Sequence, residues 1–113
     1  MTFEALLAAL RRGATVRARW EVRPPAVPGG VGPGRLVRIT RDGSPVDGEA
    51  LERLRDAIVG ALGLPVAHEA MLQAGQGLVA IDGARLVLEL EETIGIPYGP
   101  TTWRDGTVTL VEL

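Results

Sequence analysis

Hydrophobic and polar residues change their spacing several times along the chain, and each change marks an element. Phe3, Leu6, Leu7 and Leu10 recur at helical spacing, with Thr2 placed to cap the first turn, Glu4 inside it, and Arg11-Arg12 at the carboxyl end before Gly13. This pattern predicts a short amphipathic helix docked by one face. From Thr15 the period falls to two, Val16, Ala18, Trp20 and Val22 alternating with Arg17, Arg19, Glu21 and Arg23, the mark of a half-buried strand. A second strand is expected over Arg35–Arg41, with Val37 and Ile39 inward and Arg38 and Thr40 outward. Pro and Gly dominate residues 24–34 between these strands, which predicts a long, flexible hairpin loop.

Asp42-Gly43 then opens a turn, and Leu51, Leu54, Ile58, Ala61 and Leu62 define the apolar face of a second helix. Either Ser44, with Pro45 in the first turn, or Asp47 is suited to cap it, and Gly63 and Pro65 end it. Leu78–Ile81 and Ala84–Leu90 around Asp82-Gly83 form the strongest hairpin signal, with Leu86, Leu88 and Leu90 inward. The segment near Glu69–Gln73 has no clear period. Asp105-Gly106 reads as a further turn ahead of a short last strand, Thr107–Val111. Together these elements predict a single α+β domain over residues 1–113, with two helices and antiparallel β-hairpins in the order α-β-β-α-β-β plus a short C-terminal strand.

Composition narrows the chemistry more than the fold. The 113 residues are 46% hydrophobic but only 4% aromatic, so the core is expected to be aliphatic. With no Cys, disulfides, thiolate metal sites and thiol nucleophiles are excluded. All twelve basic residues are Arg, a usage that GC-rich coding favours and that suggests a bacterial source. Arg11 and Arg12 follow the first apolar stretch instead of preceding it, opposite to a secretory leader, and no apolar run reaches the ~20 residues of a membrane span. The expected location is cytoplasmic, with no membrane partner.

Candidates for catalysis are few. His68 has no second His to share a metal, and Ser44 is the only Ser and a cap candidate. The glycines at residues 29–34 lead into a strand, not a helix, so they lack the dipole and amides of a phosphate cradle. No metal, cofactor or catalytic residue is therefore assigned, and the chain is read as non-catalytic.

The charge is divided along the sequence. Residues 1–41 hold eight Arg against Glu4 and Glu21, a balance of +6, whereas residues 42–113 hold four Arg against twelve acidic residues, a balance of −8. Arg17, Arg19, Arg23 and Arg38 are expected to form a basic strand face, and Glu89, Glu91 and Glu92 an acidic one. Trp20, Tyr98 and Trp103 are the candidate aromatic anchors. The leading expectation is a protein-interaction module, such as an adaptor, inhibitor, immunity-type protein or assembly subunit, that binds another protein or itself through the basic face or a sheet edge. Binding of nucleic acid by the Arg patch, aided by Arg11 and Arg12, is less favoured because the net charge is −2. A small enzyme using His68, Tyr98 or the hairpin carboxylates ranks third. The alternative to any functional use of the charges is that both hairpins join one sheet and the two patches simply pair across neighbouring strands.

Overall fold

The computed structural model describes residues 1–24, 34–96 and 99–113. Of the Pro/Gly-rich stretch at 24–34 only Pro24 and Gly34 fall within this range, and Tyr98 lies outside it. Helix α1 (Phe3–Arg11) begins where Thr2 accepts a hydrogen bond from the Ala5 amide at 3.1 Å, the expected cap. Strands β1 (Val16–Val22) and β2 (Arg35–Arg41) follow, then the two-residue β3 (Ser44–Pro45) and helix α2 (Gly48–Leu62). Strands β4 (Leu72–Asp82), β5 (Arg85–Gly95) and β6 (Thr101–Glu112) complete an antiparallel sheet of order β3-β2-β1-β4-β5-β6.

The fold is α+β as expected, and three local differences have physical causes. Ser44 and Pro45 pair with Arg41 and Thr40 as a short edge strand, leaving Asp47 as the N-cap of α2. The Asp47 carboxylate caps no amide of its helix and instead accepts from the Met1 amino group at 3.0 Å, a cation that holds its carboxyl below the ordinary range. The last strand is long, not short, because Asp105-Gly106 does not turn. Gly106 has a φ of +148°, accessible to glycine, and β6 runs straight through it along β5. Strand β4 likewise starts at Leu72, within the segment that has no clear period.

Both helices lie on one face of the sheet. Phe3, Leu6 and Leu7 of α1 and Ala50, Leu54 and Ile58 of α2 form one cluster with Val16, Ala18, Val37, Ile39, Val79, Leu86 and Leu88 of the strands. Ala61, expected on the buried face of α2, is exposed; the helix fully buries Ala50, Leu54 and Ile58, and Leu51 and Leu62 pack partly buried against the same core. Gly63 adopts the left-handed conformation (φ 61°, ψ 37°) that closes α2. Among the described residues no helix is long and apolar enough to cross a membrane.

Replacing the fully buried Leu54 by Ala is expected to lower the unfolding free energy by about 2–5 kcal/mol, through lost burial and a residual cavity. Ala61→Ser, on the exposed side, should change it by less than about 0.5 kcal/mol. Urea unfolding followed by circular dichroism separates the two, and equal midpoints would contradict this assignment of faces.

Candidate interaction surface

Since α1 and α2 both cover one side, the other side of the sheet is largely open, although Val87 of β5, which alternation places there, is buried. Strand alternation places every second residue there, and the ladder registers arrange them in rows from β2 to β6. The first row is Thr40, Arg17, Leu78, Glu89 and Thr107. The second is Arg38, Arg19, Gln76, Glu91 and Asp105. The third is Leu36, Glu21, Ala74, Thr93 and Trp103. The third row, with Arg38, Arg19, Gln76 and Glu91 of the second, lines a hollow of about 550 Å³.

The two hairpins do join one sheet, but the basic and acidic patches do not pair with each other. Strand β4 lies between β1 and β5, so Arg17 and Arg19 stand two strand spacings, about 10 Å, from Glu89 and Glu91. Gln76 fills the gap in the second row and donates to Glu91 Oε1 at 2.8 Å. Like charges meet directly where the rows cross from β1 to β2 and from β5 to β6: Arg19 is opposite Arg38, and Glu91 is opposite Asp105. Among the described residues, Arg17, Arg19, Arg38, Glu89, Glu91 and Asp105 form no ion pair. Arg23 differs from the other three arginines, since its guanidinium is held by Glu21 at 2.6 Å.

Two of the residues expected on exposed faces are corrected by the structure. Glu92 follows Glu91 directly, so alternation turns it to the opposite side of β5, where its side chain is 0% exposed. Trp20 is also not an exposed anchor: it is an inward residue of β1 and only 2% exposed. The two meet on the helix-covered face, the indole Nε1 donating to Glu92 Oε2 at 2.9 Å. Gln73 Nε2 donates to the same oxygen at 3.0 Å, and Arg104 Nε binds Glu92 Oε1. Glu92 is thus a buried carboxylate with a cation and two neutral donors. His68 reaches this network through Gln73 Oε1, 3.0 Å from its Nε2.

Gly75 makes the network possible. It lies between Trp20 and Glu92 in the register, and a Cβ there would sit 2.5 Å from the indole and 2.6 Å from the Glu92 Cβ. The ring crosses β4 over the bare glycine backbone to reach a carboxylate two strands away. Trp103, by contrast, is on the open face and 57% exposed, at the β6 end of the third row. Leu36 and Leu78 are exposed there as well. Sequence reasoning did not single out Leu36, Gln76, Leu78 or Asp105. Leu36 and Leu78 were detectable as apolar residues on the polar phase of their strands, whereas Asp105 was hidden by the apparent Asp-Gly turn. Comparison with protein-family models, with curated proteins and with solved structures finds no match.

Gly75→Ala is expected to destabilise the protein by about 1–3 kcal/mol through overpacking against Trp20, and to alter the emission of that indole. Arg104→Ala, which strips the cation from a buried carboxylate, should cost about 1.5–3 kcal/mol. Denaturant unfolding of a Trp103→Phe background, in which Trp20 alone reports, measures both. Unchanged midpoints would mean that the network contributes nothing to stability.

Proposed function

We propose that the protein is a small, non-catalytic interaction module that binds another protein, or a second copy of itself, through the open face of its sheet. The observation that supports this most is the charge on that face that has no ion-pair partner among the described residues. Arg19 opposite Arg38 and Glu91 opposite Asp105 each cost stability in the isolated chain, because like charges directly across a ladder repel. Complementary charges brought by a partner offset that cost and fix its orientation. Exposed Trp103, Leu36 and Leu78 supply apolar contact among the charges, and an aromatic residue at the wall of a hollow is a usual anchor of an interface.

Nucleic acid fits this face less well. A phosphate backbone laid along β1 and β2 would run within about 10 Å of Glu89 and Glu91, close to the ~8 Å screening length at physiological salt. An enzymatic reading has less support still, since Glu92 is enclosed and His68 is engaged by Gln73. A bacterial, cytoplasmic setting, favoured by the Arg-only basic set and the lack of Cys, belongs to the same proposal.

The reading is tested by affinity capture with the intact protein beside a variant carrying Arg17→Glu, Arg19→Glu and Arg38→Glu, each arm repeated after nuclease treatment. A defined protein, either a different polypeptide or this chain itself, should be retained by the intact bait at near-stoichiometric yield, survive nuclease and be lost with the variant. Loss on nuclease treatment would favour nucleic acid instead, and equal retention by both baits would remove the open face from the function.

A further inference from the structure

The charges on the open face are antisymmetric about β4. In the second row Arg38 and Arg19 stand on one side of Gln76, and Glu91 and Asp105 on the other, in matching order. The first row repeats the pattern more weakly, with Arg17 and Glu89 flanking Leu78 and a Thr at either end. In the third row the ends are apolar on both sides, Leu36 and Trp103. Its one acid, Glu21, is already neutralised by Arg23.

A surface of this kind is complementary to itself under one operation. Consider a second copy turned over by a two-fold axis that runs parallel to β4 and lies just above it. That rotation exchanges the β2 side with the β6 side while keeping each row in place. Arg19 then faces Glu91 of the other copy, Arg38 faces Asp105, and Arg17 faces Glu89, each contact occurring twice. Leu36 meets Trp103, and Leu78 and Gln76 meet their own equivalents on the axis. A two-fold axis perpendicular to the strands would instead set Arg on Arg, so the charges select one of the two face-to-face arrangements. Aligned strand directions are also what the twist of two stacked sheets permits.

From this we infer that the partner of the open face is a second copy of the chain, forming a two-fold dimer by stacking of the two sheets. The inference rests on the reading of the open face as an interaction surface. Dimers closed by one self-complementary patch are the commonest assemblies of soluble proteins. The available area is adequate: five strands ~4.8 Å apart and seven residues at ~3.3 Å cover roughly 550 Å² in projection. Side-chain relief brings this toward the about 800 Å² per partner of a standard interface. The like-charge neighbours within one copy, Arg19 with Arg38 and Glu91 with Asp105, each gain opposite charges from the other.

Sedimentation velocity on the intact protein, R19E, E91R and the R19E/E91R double variant decides the matter, with circular dichroism to confirm that each is folded. All the substituted residues are exposed, so folding is expected to be intact. The intact chain should be dimeric, with a dissociation constant that rises with salt. R19E and E91R should each dissociate at least tenfold more readily. An equimolar mixture of R19E and E91R should recover the dimer, because the two reversed positions then face one another as an opposite-charge pair, while at the symmetry-related contact the native Arg19 still faces the native Glu91. The double variant should recover it alone. A monomer at every concentration would overturn the inference. So would a dimer indifferent to both single reversals, which would point to pairing at the β6 edge. If the intact chain is monomeric but captures a different protein that R19E loses, the open face remains an interaction surface and only its self-pairing is refuted.

Discussion

The antiparallel ladder between β1 and β4, from Val16 opposite Val79 to Val22 opposite Gln73, is the contact on which the rest of the molecule depends. It joins the first hairpin, which carries the basic half of the chain, to the strands that carry the acidic half, and it places β4 between β1 and β5. Without that intervening strand the two charge groups would be neighbours and would neutralise one another. With it they are set about 10 Å apart on one continuous surface. The same ladder aligns Val16, Ala18 and Trp20 with β4 and β5 on the opposite side, where the helices find their apolar support.

The sheet thus has two faces with different physical tasks. On the covered side, stability comes from aliphatic burial around Leu6, Leu54, Ile58, Leu86 and Leu88, and from a polar network that leaves Glu92 fully partnered. Among the described residues, no buried side-chain nitrogen or oxygen lacks a hydrogen bond. On the open side the opposite holds: Arg17, Arg19 and Arg38 are exposed and form no ion pair among the described residues, and apolar Trp103, Leu36 and Leu78 remain in water. A polypeptide selected only for stability would be expected to separate Arg19 from Arg38 or to pair each across the strands.

The elements were largely readable from periodicity, because the strong signals are local. Thr2, Gly13 and Gly63 mark helix ends by backbone chemistry, and the alternation at Val16–Val22 and Leu86–Leu90 fixes which side is buried. What could not be read depends on pairings distant in sequence. Glu92 looked like the end of an acidic run, although the phase of Leu86, Leu88 and Leu90 already assigned it to the buried side. Its partners Trp20, Gln73 and Arg104 are brought together only by the strand order. Asp105-Gly106 has the composition of a turn, and only the presence of β5 alongside keeps it extended. The division of charge was visible in the sequence, but its arrangement about β4 was not, since it follows from registers that no local pattern specifies.

Gly75 carries a consequence for how this chain can vary through descent. The space above its α-carbon is occupied by the Trp20 ring, and that ring is held in place by its bond to Glu92. A side chain at position 75 is accommodated without overpacking only once position 20 holds something smaller, and loss of the indole in turn removes a donor from the buried carboxylate at 92. Changes at positions 20, 75 and 92 are therefore coupled, although 55 residues separate the first two along the chain. In relatives of this protein the three should be inherited as one unit, while the exposed positions of the other face remain free to follow whatever they bind.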